Sequence, residues 1–277
     1  MDISFHKMHG LGNDFVLLDR RHEPFALETW EIQSLGNRRT GVGFDQLLVI
    51  ETSDIPGVDA KYRIFNQDGS VAEHCGNGIR CVAKFLKQRL PGEPAKIVVE
   101  IQGKTYSLAV SDSGNVRVDM GPPIFDPRQI PATFSERALK YPIETAGRQF
   151  EIGTVSMGNP HAVFIVENLD DFSVKAVGQA MQTHANFPKQ VNAGFMQIVD
   201  SANVRLRVWE RGAGETQACG TGACAAMVIG RLWGHLDEKV TVNLLGGQLS
   251  IEWRGGDQDS VWMTGQAAYV FEGKIAI

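Results

Sequence analysis

Short segments of alternating or continuous apolar residues run along the whole chain, and they predict many strands. Residues 61–66 alternate polar and apolar side chains, as a strand with one buried face does. Similar patterns predict strands at residues 3–8, 15–19, 47–51, 97–102, 105–110 and 115–120 in the first half, and at 149–153, 162–167, 193–199, 204–209 and 267–277 in the second. We expect the last of these strands to return to the first half. A further hairpin is predicted to turn at Gly246-Gly247.

Helical spacing of apolar residues occurs in few places. It predicts helices at residues 27–38, after residue 75 to about residue 90, at 171–184, and after residue 219. In the second of these, Ile79, Val82 and Leu86 fall on one face. The fourth is apolar nearly all round between residues 223 and 229, which predicts a centrally buried helix. So few crossover helices argue against a fully parallel Rossmann sheet.

The two buried-helix segments begin with near-copies of one motif. Cys75-Gly76-Asn77-Gly78 precedes the first and Cys219-Gly220-Thr221-Gly222 the second, an offset of 219 − 75 = 144 residues. The same offset relates several other pairs of identical residues, and Gly12-Asn13 matches Gly158-Asn159 at an offset of 146. A repeat this long indicates a duplicated domain. We predict one domain from residues 1–121 with about 266–277, and another from residues 122–265.

The predicted fold class is therefore α+β. Each of the two pseudo-symmetric domains is expected to wrap a mixed or antiparallel, barrel-like sheet around a central helix. We expect the active site in the cleft between the domains.

The composition of the chain indicates which binding partners and which cellular location to expect for the protein. The chain has 277 residues, 43% of them hydrophobic, and a net charge of −5 with acids and bases interspersed. Because there is no basic stripe, nucleic acid is not expected as a partner. The chain shows neither a secretory signal pattern nor an apolar run of membrane-helix length, so we expect no membrane association and a cytoplasmic location.

The cysteine chemistry points to acid–base catalysis. The four cysteines form Cys-x5-Cys and Cys-x4-Cys pairs, which do not match zinc spacing, and a reducing compartment argues against disulfides. A Cys at a helix start lies beside unpaired N–H groups that lower its pKa and bind anions. Two such starts facing each other across a bound carboxylate would put one sulfur on each face of its α-carbon. One thiolate would remove the α-proton and the opposite thiol would supply another, with no cofactor and no metal.

Several of the candidate residues also have a plainer structural explanation. Cys81 and Cys224 are predicted to be packing residues, and His74 is predicted to be structural because no third metal ligand has suitable spacing. Asn13 and Asn159 are also ordinary turn residues, but their recurrence in both halves favours a binding pocket. Glu210 and Arg211 would otherwise be a surface ion pair.

Long motifs then identify a resemblance. The chain resembles the diaminopimelate epimerases, which act without pyridoxal phosphate, in five segments: residues 7–15 (KMHGLGNDF), 41–46 (GVGFDQ), 75–78 (CGNG), 156–161 (SMGNPH) and 210–216 (ERGAGET). The resemblance implies epimerisation of LL-diaminopimelate to the meso form for lysine and peptidoglycan synthesis. It implies Cys75 and Cys219 as the acid/base pair, His161 and Glu210 as residues that support the thiols, and a substrate site formed by Asn13, Gln46, Asn66, Gly76, Asn77, Asn159, Asn192, Glu210, Arg211, Gly220 and Thr221.

The family likeness further implies a homodimer with an aromatic hydroxyl at the interface. At the corresponding position this chain has Phe271, with Tyr269 two residues earlier, so the hydroxyl contact is in question. Two other functions remain open. One is a proline or hydroxyproline racemase, which shares the paired-thiol chemistry. The other is a non-catalytic anion-binding protein whose two thiols form a redox switch.

Overall fold

The structure, a computed structural model, describes residues 2–24, 27–72 and 76–276. Contacts divide the chain into two compact units. Unit 1 contains Met1–Val118 and Gly265–Ile277, and unit 2 contains Asp119–Thr264. The domain boundaries expected from the repeat stay a prediction. None of the helices described in these ranges is long and apolar enough to cross a membrane.

Unit 1 is a mixed sheet with a buried helix. Its elements are β1 (Asp2–Gly10), β2 (Asn13–Asp19), α1 (Thr29–Gly36), β3 (Gln46–Glu51), β4 (Ala60–Asn66), α2 (Gly76–Lys87), β5 (Lys96–Ile101), β6 (Lys104–Val110), β7 (Asn115–Asp119) and β17 (Ala268–Ala276). The predicted final strand is confirmed as β17, which pairs antiparallel with β1. Helix α2 packs against β1, β2, β3, β5 and β6, and the first eight residues of α2 are buried.

Unit 2 repeats this architecture. Its elements are β8 (Tyr141–Thr145), β9 (Arg148–Ser156), β10 (Pro160–Ile165), α3 (Val174–Met181), β11 (Asn192–Asp200), β12 (Asn203–Glu210), β13 (Gly214–Thr216), α4 (Gly220–Leu232), β14 (Lys239–Leu244), β15 (Gly247–Glu252) and β16 (Trp262–Gln266). Helix α4 packs against strands β9 to β12 and β14 to β15. Residues 220–230 of α4 are buried, which confirms the predicted central helix.

Strand pairing follows one order in both units. In unit 1, β2 runs parallel to β3, β3 antiparallel to β4, β4 parallel to β5, and β5 antiparallel to β6. In unit 2 the same sequence of relations joins β10, β11, β12, β14 and β15. The α+β class and the internal duplication are therefore confirmed.

Two helices are shorter than their apolar spacing predicted. Helix α1 covers Thr29–Gly36 because the Asn37 side chain accepts hydrogen bonds from the Arg39 and Thr40 amides and forms a turn. Helix α3 ends at Met181, after which residues 182–184 form tighter turns. Strands β8, β13 and β16 were not predicted. Pro142 obscured β8, although an edge strand tolerates proline, and β13 has only three residues.

Candidate active site

Cys219 lies at the start of the buried helix of unit 2. It is the N-cap of α4, with extended backbone (φ −117°, ψ 109°), so its side chain sits beside the free amides of the first turn. The thiol is 4% exposed. Its Sγ lies 3.6 Å from the hydroxyl oxygen of Thr221 in that turn. Cys219, Gly220 and Thr221 thus lie together at the start of α4, where free amides can bind an anion, and the anion site stays a prediction.

Glu210 holds the thiol from the end of β12. The Cys219 Sγ donates to Glu210 Oε2 at 3.1 Å, and the Thr216 hydroxyl donates to Glu210 Oε1 at 2.5 Å. Thr216 is on β13, which folds back antiparallel to β12. Both carboxylate oxygens of Glu210 therefore have a partner, and the carboxylate is directed at the sulfur.

The surroundings of Cys219 favour the protonated thiol. Burial raises the pKa of Cys219 well above the ordinary value for a thiol, and the Glu210 carboxylate raises it further. Hydrogen bonds from Thr221 and from the Gly222 backbone act in the opposite direction but are the smaller influences. A helix start alone was expected to lower this pKa, so that expectation is wrong for Cys219: desolvation and an adjacent carboxylate outweigh the helix dipole.

His161 is a buried neutral histidine on β10. Burial, and secondly the positive charge of Arg211, lower the pKa of His161 to about 3. Its Nε2 lies 2.9 Å from Asn159 Oδ1, and its Nδ1 is buried with no hydrogen-bond partner in the described part of the chain. No hydrogen bond from His161 to Cys219 is present among those residues, so any support it gives the thiol acts through space.

Asn192 fixes the position of Arg211. Its Oδ1 accepts a hydrogen bond from the Arg211 backbone amide at 2.9 Å, and its Nδ2 donates to the Pro160 carbonyl at 3.0 Å. Asn192 is 3% exposed. Hydrogen bonds therefore join the start of β10, the start of β11 and the end of β12, where His161, Asn192 and Glu210 lie.

In unit 1 the predicted residues form two contacting pairs. Gln46 and Asn66 face each other across β3 and β4, with Gln46 Nε2 donating to Asn66 Oδ1 at 3.2 Å. Asn77, buried in the first turn of α2 after Gly76, donates from Nδ2 to Asn13 Oδ1 at 3.2 Å. Cys75 and His74 lie outside the described residues. Cys81 and Cys224 are fully buried, in agreement with their predicted packing role.

The strand register shows why the internal repeat did not reveal every site residue. Phe15 pairs with Gln46 in unit 1, and His161 pairs with Asn192 at the matching place in unit 2. His161 therefore occupies a position that is a core phenylalanine in the other half, so the repeat gave no signal for it. Sequence reasoning also missed Thr216, although it ends the segment of residues 210–216 that begins with Glu210 and carries part of the family resemblance.

A buried thiol at a helix start can transfer a proton, and the free amides of such a start can bind an anion. In the described ranges, no group of three or more His, Cys, Asp or Glu side chains is arranged to hold a metal ion. The structure brings together a buried thiol, the Glu210 carboxylate that accepts its hydrogen bond, and the buried Asn192 amide, which binds the backbone of the neighbouring Arg211.

Known proteins resemble this chain along its full length. A family model for diaminopimelate epimerase matches residues 5–125 and 153–270. The chain is 50% identical over 278 residues to a diaminopimelate epimerase of Thioalkalivibrio sulfidiphilus (strain HL-EbGR7), and 49% identical over 277 residues to one of Azotobacter vinelandii (strain DJ / ATCC BAA-1303), with 100% of both chains covered in each case.

Solved structures share the fold at low identity. A PhzF-family phenazine biosynthesis protein of Bacillus anthracis is 16% identical with a TM-score of 0.71, and all of both chains is covered. A hydroxyproline epimerase of Agrobacterium vitis is 14% identical with a TM-score of 0.69, covering 100% of this chain and 93% of its own. At these identities the likeness concerns the fold alone.

Proposed function

This chain belongs to the diaminopimelate epimerase family, and from that premise we propose that it works through two cysteine thiols without a cofactor. The reaction follows from the family: the chain is an isomerase that epimerises diaminopimelate in lysine and peptidoglycan biosynthesis. The contact that carries the mechanistic proposal is the 3.1 Å hydrogen bond from Cys219 Sγ to Glu210.

Cys75 and Cys219 act as the acid/base pair on opposite faces of the α-carbon. One turnover in either direction needs one thiolate and one thiol, since a proton leaves one face while another arrives at the other. Burial and Glu210 keep Cys219 protonated, so Cys219 is the proton donor and Cys75 the base in the substrate-free enzyme. In the reverse direction the Cys219 thiolate, once formed beside a carboxylate, is a strong base.

The α-carboxylate is held by the first-turn amides at Gly76-Asn77 and Gly220-Thr221. Amides at a helix start point at an anion, and they stabilise the charge that develops on the carboxylate when the α-proton leaves. Asn13, Gln46, Asn66, Asn159 and Asn192 supply further amides to the substrate. Arg211 pairs with the distal carboxylate, Glu210 offers a carboxylate to an ammonium group, and His161 and Glu210 set the electrostatics of the thiols.

We also propose a cytoplasmic homodimer. Its support is strand β17, where Val270 is 52% and Phe271 47% exposed. The Tyr269 hydroxyl is already engaged, 2.6 Å from His6 Nδ1 and 2.7 Å from Glu272, so Phe271 is the better candidate for an interface contact. Sedimentation velocity of wild type and of Phe271→Asp tests this, and a wild-type monomer would contradict it.

Exchange of the α-hydrogen tests the mechanism. In deuterium oxide, NMR should show loss of the α-proton signal of LL-diaminopimelate and formation of the meso isomer with reduced protein and no added cofactor. Cys75→Ala and Cys219→Ala should each abolish epimerisation, while Cys81→Ala should not. Near wild-type turnover by either of the first two variants would refute the two-thiol mechanism.

Turnover of proline but not diaminopimelate would favour a proline racemase.

A further inference from the structure

We propose that Arg80 and Asp45 are positioning residues that fix the amide orientation of Asn77 and Asn13. The inference rests on the proposed function, in which the Asn13 side chain and the first-turn backbone at Asn77 bind substrate. Neither Arg80 nor Asp45 was among the residues that the sequence motifs assigned to the site.

The four side chains form one hydrogen-bonded relay within unit 1. Arg80 Nη2 donates to Asn77 Oδ1 at 2.8 Å. Asn77 Nδ2 donates to Asn13 Oδ1 at 3.2 Å, and Asn13 Nδ2 donates to Asp45 Oδ2 at 2.9 Å. Every bond in the relay therefore runs in the same direction, from the guanidinium to the carboxylate.

The chemistry of the two ends dictates that direction. An arginine side chain only donates hydrogen bonds, and a carboxylate only accepts them, whereas an asparagine amide does both. If the amides of Asn77 and Asn13 were both reversed, an NH2 group would face the guanidinium and a carbonyl oxygen would face the carboxylate. Both contacts would be repulsive, so the two charged ends select one orientation for the amides between them.

Both ends are themselves held in place. Arg80 is fully buried, and it also donates from Nη1 to the Gly76 carbonyl at 3.0 Å and from Nε to the Gln266 carbonyl at 3.3 Å. Gly10 packs so closely that a Cβ there would lie 3.1 Å from Arg80 Nη2 and 3.2 Å from Asn77 Cβ. The guanidinium and the Asn77 side chain therefore have little freedom to move.

Asp45 is held by a charged cluster. Arg38 Nη2 donates to Asp45 Oδ1 at 2.7 Å, and the Asp14 backbone amide donates to Asp45 Oδ2 at 3.1 Å. Arg38 also binds Asp14, which accepts a hydrogen bond from the largely buried Lys7. Burial of the Asp14 carboxyl opposes its ionisation, but hydrogen bonds from Arg38 and Lys7 lower the pKa of Asp14 to about 2. The Asp14 carboxyl is therefore ionised at neutral pH.

The relay belongs to one half of the duplication. At the repeat offsets of 144 and 146 residues, Cys224 stands in place of Arg80 and Val191 in place of Asp45. The shared fold therefore does not require these two charged residues, because the second half has the same order of strand pairing without them. A role specific to the amides of Asn77 and Asn13 does account for them.

Kinetics of four variants test the proposal. If the asparagines bind ground state and transition state alike, Asp45→Asn should raise KM for diaminopimelate by about tenfold, with kcat within about threefold of wild type. Arg80→Met should do the same, and Arg80→Lys should recover part of the loss because it keeps a donor-only group. Asp112→Asn, which removes the same charge at an exposed site of unit 1, is the matched control and should leave KM unchanged. Unchanged KM in both Asp45→Asn and Arg80→Met would overturn the proposal.

A measurement on the substrate-free protein separates this inference from the proposed function. The side-chain NH2 protons of Asn77 should exchange slowly with solvent in wild type and in Asp112→Asn, and at least tenfold faster in Asp45→Asn. Should Arg80→Met fail to fold, Asp45→Asn and Arg80→Lys still decide the matter. If wild type does not epimerise diaminopimelate but the exchange result holds, the proposed function fails and the relay stands. If wild type is active and exchange in Asp45→Asn is unchanged, the relay fails alone.

Discussion

Replacement of Glu210 by glutamine is the most direct test of the electrostatics around Cys219. The substitution keeps the length and shape of the side chain, and its amide oxygen still accepts a hydrogen bond from the thiol. What it removes is the negative charge next to the sulfur. We therefore expect Glu210→Gln to lower the pKa of Cys219, because the thiolate no longer forms beside a carboxylate.

The separation of the two groups sets the size of the effect. Glu210 Oε2 is 3.1 Å from the sulfur, and in an effective dielectric of about 20 two unit charges at this distance repel by about 5 kcal/mol. Water reaches part of the Glu210 side chain, so we take about 1 kcal/mol as the lower limit. Even that limit raises the thiolate fraction of Cys219 at a fixed pH roughly fivefold.

Alkylation measured against pH reports the thiolate. Iodoacetamide reacts with the ionised sulfur, and mass spectrometry of the Cys219 peptide separates this site from the other three cysteines. In Glu210→Gln the rate should rise at lower pH than in wild type. Glu215→Gln is the matched control: it removes a charge from the same hairpin, but Glu215 is paired with Arg207 at 2.6 Å and not with Cys219.

The reasoning fails if the profile of Glu210→Gln coincides with that of wild type, or moves to higher pH. It also fails if Glu215→Gln produces an equal change, since the effect would then come from net charge and not from contact. A second readout is turnover. Glu210→Gln should slow epimerisation in both directions, because the acid and base strengths of Cys219 are no longer matched to those of its partner.

Three further predictions concern the surroundings of this site. The pKa of His161 is about 3 in the folded protein and about 6.5 in the unfolded chain, so between these values only the unfolded state binds the proton. The free energy of unfolding, measured with urea, should therefore fall by about 2 kcal/mol from pH 7 to pH 5. His161→Asn should flatten this dependence on pH. Thr216→Val removes the hydroxyl that holds Glu210 and should lower kcat about three- to tenfold, with Thr216→Ser near wild type; a full rate in the valine variant would contradict the role. Gly178→Ala places a Cβ 2.5 Å from the Trp209 side chain and should destabilise the protein by about 1–3 kcal/mol, seen as a lower Tm; an unchanged Tm would show that the contact relaxes freely.

The fold could be predicted where the apolar pattern has a single explanation. Residues 61–66 alternate cleanly and form β4, and the all-apolar run after residue 219 forms the buried helix α4. The pattern was insufficient where local polar chemistry sets a boundary, as at Asn37, which ends α1 through its own side chain. It also gave no signal for β13, since three residues are too few to show a period.

The candidate site could be predicted as far as the motifs and the repeat extend. The sequence brought Glu210 and Cys219 together as site residues, and the structure joins them by a hydrogen bond. What the sequence could not provide was the sign of the pKa change at Cys219. That sign depends on burial and on the direction in which a carboxylate points, and both are properties of packing.

In the proposed two-thiol mechanism, the divergence between the two halves has a physical reason. If the two thiols had equal pKa values, at most about half of the enzyme molecules would have one thiol ionised and the other protonated. In part of those molecules the ionised sulfur would be the one that must donate the proton. If the pKa of one sulfur is much higher than that of the other, the singly ionised form dominates over a range of pH. In that form the proton is on the sulfur with the higher pKa. Glu210, which stands at the position of the neutral Asn66 in the first half, breaks the equality. Duplication thus supplies two sulfurs and two helix starts, and substitution of one amide by one carboxylate makes them unequal.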